Sequence, residues 1–286
     1  MFKNYTICEQ KIHIEMPDFP NDCADWRLFE TNEAVADISV ACQVGEKLPE
    51  ISGRFCGEQG EFSVFSDGEK VFRKRSMGNL EGALAEYDSK DGSDCRLYFT
   101  NKSFSVMTDE RYFWSSVPLA QILLPKKVVL MHASFIDIGG SAVLFSAPCG
   151  TGKSTHTRLW YQNIPNAKLL NDDSPIVRYV DNKLWVYGSP WSGKTPCYKP
   201  ERYELKGCAR LSQASYNKII RLSVLEAYAA IHPSCPPEFA YDSNLYDHIS
   251  GFIDKLISKV PFYHMACLPD REAPRVSCQT IYMGSL

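Results

Sequence analysis

Long apolar runs are missing from this chain, and no window approaches the ~20 consecutive apolar residues that a membrane-spanning helix needs. No helical membrane span is therefore expected. A basic excess is missing too: 31 Lys and Arg face 34 Asp and Glu among 286 residues, for a formal net charge of −3. That balance argues against a nucleic-acid track or an anionic membrane surface as partner. There is no Cys-x-x-Cys pair, and the 11 cysteines are spread without regular spacing, so they do not read as a disulfide framework. They fit inert thiols in a reducing, cytoplasmic compartment. The opening Met-Phe-Lys-Asn-Tyr-Thr leads into polar residues rather than an apolar segment, so no targeting signal is expected. Internal repeats and low-complexity tracts are absent, and the length suits one large or two ordinary domains.

What stands out is the run Ala147-Pro148-Cys149-Gly150-Thr151-Gly152-Lys153-Ser154-Thr155. A polyphosphate needs many backbone N–H donors converging on a small volume, and only glycine-rich backbone folds that tightly around it. Gly150 and Gly152 supply that freedom. Lys153 is spaced to reach the outer phosphates, Ser154 to ligate Mg²⁺, and the helix that follows to aim its N-terminal N–H groups at the anion. Ala147 stands where the usual Walker A pattern has its first glycine, a change tolerated where no left-handed backbone is required. The flanks agree: Ala142-Val-Leu-Phe145 reads as a buried strand before the loop, and Thr155 to Gln162, anchored by Leu159 and Trp160, as a helix after it.

Eighteen residues after Ser154 come the paired acids Asp172 and Asp173, at the end of the apolar stretch Ala167 to Leu170 and Asn171. Carboxylates at a strand tip are where α/β proteins meet the Mg²⁺ of a nucleotide. One acid can hold the metal while its neighbour accepts a proton from an attacking hydroxyl. The other use of such a pair is an Asx turn ahead of Ser174-Pro175.

The chain changes character along its length. Residues 1–125 hold short alternating segments and turn signals. Tyr5 to Met16, Ala36 to Cys42, Glu61 to Phe65 and Lys70 to Arg73 read as strands, with hairpin turns at Ser66 to Glu69 and Ser89 to Ser93. Tyr112 to Leu124 reads as a helix stopped by Pro125. From 126 to 286 strands and helices alternate, with a hairpin at Asp181-Asn182, a helix at Leu222 to Ile231, an apolar helical stripe from Leu245 to Val260, a strand at Phe262 to Cys267 and a terminal helix at Glu272 to Tyr282. The expected fold class is α/β with a mixed sheet: a β-rich N-terminal domain, 1–125, and a nucleotide-binding domain, 126–286.

Met131-His-Ala-Ser134, the 147–155 loop and Leu169-Leu-Asn-Asp-Asp173, taken in order, resemble the catalytic domain of the HPr kinase/phosphorylase family. They are also similar to the nucleotide site of ATP-dependent phosphoenolpyruvate carboxykinase, whose fold that kinase shares. The likeness covers about fifty residues well and the last 160 loosely. It implies that Pro148 to Thr155 cradle ATP, that Ser154 and Asp173 hold Mg²⁺, that Asp172 is the base with those two acids open to exchange, and that His132 lies near the transferring phosphate or the metal. It also implies a kinase whose acceptor is an alcohol on a small metabolite or on a serine of a peptide or protein.

The departures matter. The family's Glu-x-x-Gly segment corresponds here to Trp185-Val-Tyr-Gly188, without its glutamate. Beyond it, Gly188-Ser-Pro-Trp-Ser-Gly-Lys194 resembles a segment of bacterial HPr kinase-like proteins, some found near peptide-modification genes. Trp191, Ser192 and Lys194 are the candidate substrate contacts, Lys194 as a cation for phosphate or carboxylate and Trp191 as a stacking surface or a lid on the core. Arg158, Arg178, Arg202, Arg210 and Arg221 are candidate anion contacts in the second half, none of which the sequence by itself brings to the site. A carboxykinase-like enzyme and an ATP-binding regulator or peptide-binding scaffold stand as the alternatives, and homo-oligomer formation is a role open to the β-rich half.

Overall fold

A computed structural model describes residues 1–19, 24–33, 35–77, 80–107, 110–193, 196–236 and 240–283. By its internal contacts the chain divides into Met1–Lys126 with Pro237–Ile249, and Lys127–Pro236 with Ser250–Leu286. Residues 237–249, read from the sequence as part of the second half, thus group with the first.

The first unit is an eight-stranded mixed sheet in the order β1-β2-β3-β8-β7-β6-β5-β4. Its strands are β1 (Phe2–Ile7), β2 (Gln10–Glu15), β3 (Ile38–Gly45), β4 (Arg54–Gln59), β5 (Phe62–Ser66), β6 (Lys70–Met77), β7 (Leu80–Asp88) and β8 (Asp94–Thr100), with short helices α1 (Ala24–Arg27), α2 (Asn101–Ser105), α3 (Glu110–Ser116) and α4 (Leu119–Leu123). Two expectations need correcting. Tyr5 to Met16 is not one strand but a hairpin, because Cys8 and Glu9 both take left-handed φ, 47° and 63°, and pair Ile7 with Gln10. No Gly or Asn announces that turn. The Tyr112 to Leu124 helix is broken because Pro118 has no N–H to donate, so α3 ends at Ser116 and α4 restarts beyond it.

The second unit carries nine strands: β9 (Val128–Leu130), β10 (Ala133–Ile138), β11 (Ser141–Ser146), β12 (Ala167–Asn171), β13 (Ile176–Val180), β14 (Lys183–Tyr187), β15 (Arg202–Gln213), β16 (Lys218–Arg221) and β17 (Phe262–Cys267). Its helices are α5 (Lys153–Asn163), α6 (Val224–Ile231), α7 (Ser243–Lys259), whose start groups with the first unit, and α8 (Glu272–Cys278), which runs into a π-helical turn, Gln279–Met283. The expected terminal helix therefore changes its winding after Cys278. β15, the longest strand, was not legible in the sequence, since its charged and apolar residues alternate too weakly around Lys206-Gly207. It nonetheless lies at the centre, parallel to both β11 and β17.

Direction decides where the chemistry sits. β10 runs antiparallel to β11 and β12 antiparallel to β10, while β15 and β17 run parallel to β11. The end of β12, the start of β10 and the ends of β11, β15 and β17 therefore share one sheet edge. Segments at that edge carry His132, the 147–155 run and the Asp172-Asp173 pair.

α5 is held on the sheet by Trp160, which is fully buried among Ile136, Val143, Phe145, Leu211, Met265 and Ile281. Its indole N–H donates to His156 Nε2 at 3.1 Å and to Ser277 Oγ at 3.0 Å. An imidazole accepting at Nε2 is neutral, and burial pushes the His156 pKa from 6.5 down to about 4. Between those values the unfolded chain binds a proton that the folded chain refuses. Stability from this group is therefore complete above pH 6.5 and is lost as pH falls towards about 4. In urea unfolding without nucleotide or metal, His156→Gln, which cannot titrate, is expected to flatten this dependence by on the order of 3 kcal/mol across the interval. An unchanged pH slope would contradict a neutral buried imidazole.

Candidate functional site

The loop leaving β11 turns through Gly150 and Gly152, both left-handed at φ 79° and 110°. Ala147 is not among the left-handed residues and is buried, which is why a side chain is tolerated there. Gly152 caps α5 without any side-chain cap, so the first N–H groups of an 11-residue helix point outward beside the glycines. The Ser154 hydroxyl makes no hydrogen bond among the described residues, and Ser154 is exposed. Pro148, Cys149 and Gly150 are exposed as well, with Thr151 and Thr155 half-buried.

Lys153 folds back under the loop and is only 9% exposed. Its ammonium donates to His132 Nε2 at 2.9 Å and to the Ala147 carbonyl at 3.4 Å. Burial lowers the lysine pKa, against the upward pull of Asp173, Cys149 and Asp172. His132 is lowered as well, by burial and then by the Lys153 charge, with Asp173 opposing. The pair thus settles as a lysine cation on a neutral imidazole. Asp173 Oδ1 lies 3.7 Å from the same Nε2, and the His132 and Asp173 side chains are 45% and 43% exposed.

Asp172 is built differently from its neighbour. It is 3% exposed; Oδ1 accepts from Ser134 Oγ at 2.9 Å, and Oδ2 is buried without a hydrogen-bond partner. A carboxylate oxygen left unpaired in a dry setting is costly unless a cation or proton completes it. Asp173 Oδ2 instead accepts from Ser174 Oγ at 3.0 Å.

The Asx turn weighed as the ordinary use of the acids does form, but Asn171 makes it. Its Oδ1 accepts from the N–H groups of Asp173 at 3.0 Å and Ser174 at 2.8 Å, which spares both carboxylates. Its Nδ2 donates to Ser189 Oγ at 3.2 Å and to the Trp191 carbonyl at 2.7 Å. One buried carboxamide thus ties the acids to the Trp191-Ser192-Gly193 segment. A Cβ at Gly193 would stand 3.0 Å from the Asp172 carbonyl oxygen and 3.1 Å from Asp173 Cβ, so a larger residue there would have to push the segment a few tenths of an ångström away from the acids. The Ser192 hydroxyl accepts from the Cys197 N–H at 3.1 Å, which engages it in shaping its own loop. Lys194 lies outside the described residues. Asn171, Ser134 and Ser189 are positioning residues that sequence reasoning did not single out; an Asn immediately before two acids was the available signal.

Two cavities flank the loop. One, of about 420 Å³, lies on the α5 side and includes Thr155, His156, Leu159, Cys267, Leu268 and Pro269 in its lining. The other, of about 490 Å³, is lined by Cys149 and Gly150 with Arg210, Ser212 and His264. Of the remaining arginines, Arg158 and Arg221 are exposed and Arg202 covers the Trp185 ring at 4.5 Å; Arg178 lies on β13. Arg210 alone among the five lines a cavity beside the loop. Among the described residues no three His, Cys, Asp or Glu side chains form a metal cluster on their own. Among the described residues no helix is long and apolar enough to cross a membrane.

No family model matches the chain, and no curated protein matches it in sequence. In structure it is similar to the Hpr(Ser) kinase/phosphatase from Coxiella burnetii, with 12% identity and a TM-score of 0.32 over 55% of this chain and 95% of that one, a distant structural relationship.

Removing the Asn171 carboxamide leaves the part-buried Asp173 and Ser174 N–H groups without their acceptor and takes one of two donors from the Trp191 carbonyl, which keeps Ser189 Oγ. Asn171→Ala is therefore expected to lower stability by about 2–4 kcal/mol in urea unfolding. A loss below about 0.5 kcal/mol would mean the turn is held by something else.

Proposed function

We infer that the chain is an ATP- and Mg²⁺-dependent phosphotransferase of HPr kinase-like type, which moves the γ-phosphate to the hydroxyl of a small metabolite or of a serine in a peptide or protein. The observation that carries this reading is the convergence, from three strand ends, of Lys153, His132 and the Asp172-Asp173 pair beside a loop with two left-handed glycines. Nothing in a merely structural glycine turn requires those four side chains to meet there.

The donor set suits the ions involved. A nucleotide-borne Mg²⁺ takes hard oxygen ligands, one or two from protein and the rest from phosphate and water. The Ser154 hydroxyl and the half-exposed Asp173 carboxylate supply them, with His132 beside Asp173. When bound, Mg²⁺ neutralises charge across the transferring phosphates.

The chain's own residues do the rest. N–H groups of the 149–154 segment and the α5 terminus bind phosphate oxygens, and Lys153, released from the Ala147 carbonyl, follows the charge. Asp172 Oδ2 accepts the proton of the acceptor hydroxyl as its oxygen forms the new O–P bond. The bond from the γ-phosphorus to the bridging oxygen breaks, and its electron pair leaves on ADP. Oδ2 is enclosed in the ligand-free chain, so the acceptor hydroxyl reaches it only once a neighbouring group moves aside. The exchanged assignment, with Asp173 as base, is tested by comparing the two acids. The apolar cavity beside Leu159 suits the nucleoside. The first unit would recognise the acceptor or mediate assembly.

Mass spectrometry of a broad alcohol and peptide panel incubated with ATP and Mg²⁺ should reveal one added phosphoryl group on an acceptor. Lys153→Ala is expected to weaken ATP binding at least tenfold by calorimetry. Asp172→Asn should keep ATP affinity within about twofold and lose transfer by about a hundredfold or more, whereas Asp173→Asn should also raise the Mg²⁺ requirement. Full turnover in Asp172→Asn removes it as base. ATP binding with no acceptor phosphorylated would leave a regulator, and phosphoenolpyruvate formation from oxaloacetate would make the enzyme a carboxykinase.

A further inference from the structure

The cavity on the far side of the loop is built around a cation without a counter-ion. Alternation along β15 sends Ala209 and Leu211 into the Trp160 core and Arg210 and Ser212 to the opposite face. Arg210 is in register with His264 on β17, which brings that imidazole to the same face, and Ser212 Oγ lies 2.9 Å from His264 Nε2. The Arg210 guanidinium is half-buried and its Nη1 donates to the Ala230 carbonyl at 2.8 Å, near the end of α6. That one bond orients the fork. Among the described residues no carboxylate pairs with it, so the remaining N–H groups stay available in a cavity of about 490 Å³. A partly desolvated guanidinium without a carboxylate is unfavourable unless an anion completes it, and its planar fork matches carboxylate and phosphate.

Position supplies the second half of the argument. Arg210 is the register partner of Ser146, and Ser146 of Ala133, the residue after His132. Two strand spacings make about 10 Å between Arg210 and the His132 end of β10. A long guanidinium side chain and an acceptor of a few carbons bridge that span.

We propose that the Arg210, Ser212 and His264 cavity is the acceptor subsite, and that the acceptor is an alcohol bearing an anionic group, carboxylate or phosphate, which Arg210 holds while the hydroxyl faces Lys153 and the acids. This deepens the phosphotransferase reading and rests on it. The nucleoside is left to the apolar cavity on the α5 side, and the loop separates the two.

Imidazole NMR signals of the full chain, with His264 assigned by His264→Gln, would be followed during titration with D-glycerate, glycerol 3-phosphate and neutral glycerol, without nucleotide and again with saturating Mg²⁺ and a non-hydrolysable ATP analogue. At least one of the two anions should bind at least tenfold more tightly than glycerol and move the His264 signals, and binding should survive the analogue. The stronger of the two anions tells carboxylate from phosphate. Arg210→Gln should abolish the anion preference, and Arg221→Gln, at an exposed arginine outside the cavity, should keep it; thermal midpoints of both variants report folding. Anions that bind no better than glycerol, or equally well to a folded Arg210→Gln, overturn the proposal. Displacement of the anion by the analogue overturns it too, since the cavity would then belong to the nucleotide's phosphates. Failure of the analogue itself to bind strikes the phosphotransferase reading instead, and is seen separately.

Discussion

A strand that ends in two acids must satisfy the backbone donors of its own turn before the acids are free for anything else. That requirement governs the sheet edge in this protein. Asp and Asn side chains both close Asx turns, and a turn closed by Asp172 or Asp173 would consume the carboxylate. Asn171 takes the task with a neutral group and uses its other end to hold the Trp191 carbonyl. A charged side chain could not do both while fully buried, because a carboxylate has no donor for that carbonyl. This one amide links the turn that carries the acids to the 189–191 segment, which Ser189 Oγ also ties to the Ser174 carbonyl.

The second dependence is electrostatic. Two cationic nitrogens 2.9 Å apart would repel strongly in a half-buried setting, so one of Lys153 and His132 gives up its proton. The imidazole does, having the lower intrinsic affinity, and its lone pair then accepts from the ammonium. Asp173, 3.7 Å from His132 Nε2, offsets part of the lysine's charge. In the proposed reaction this arrangement has a use. The lysine is stored on two weak acceptors, an imidazole and the Ala147 carbonyl, which a polyphosphate readily outcompetes. Its departure also leaves His132 Nε2 with a free lone pair next to Asp173.

What the sequence disclosed and what it hid divide along a physical line. The 147–155 loop, its flanking strand and helix, and the Asp172-Asp173 pair were legible because their residue types are demanded by local geometry: left-handed glycines, a helix start, a strand tip. The Asp181-Asn182 hairpin was legible for the same reason, both residues being left-handed at φ 51° and 62°. β15 was not, since a strand paired to β11 on one edge and to β14 and β17 on the other is defined by neighbours far away in sequence, and its Gly207 and scattered charges blur the period of two. Missing β15 meant missing Arg210 as more than one arginine among five. The Cys8-Glu9 turn was hidden too, because neither residue type signals left-handed backbone.

The 11-residue helix at the loop also explains why the site has two sides. α5 covers one face of the sheet and buries Trp160 there, so a ligand group on that side meets Leu159, Cys267 and Leu268, surfaces suited to a flat apolar ring. On the other face no helix from that loop intervenes, and β15 can present Arg210 and Ser212 edge-on to the glycines. Strand alternation on β15 sends the Leu211 side chain into the Trp160 core and those of Arg210 and Ser212 to the opposite face, beside the loop. The proposed transfer would use this separation, because donor and acceptor approach one phosphorus from opposite sides while their recognition groups do not compete. The loop's position between β10 and β15, rather than at a sheet margin, is what makes both approaches available to one set of backbone donors.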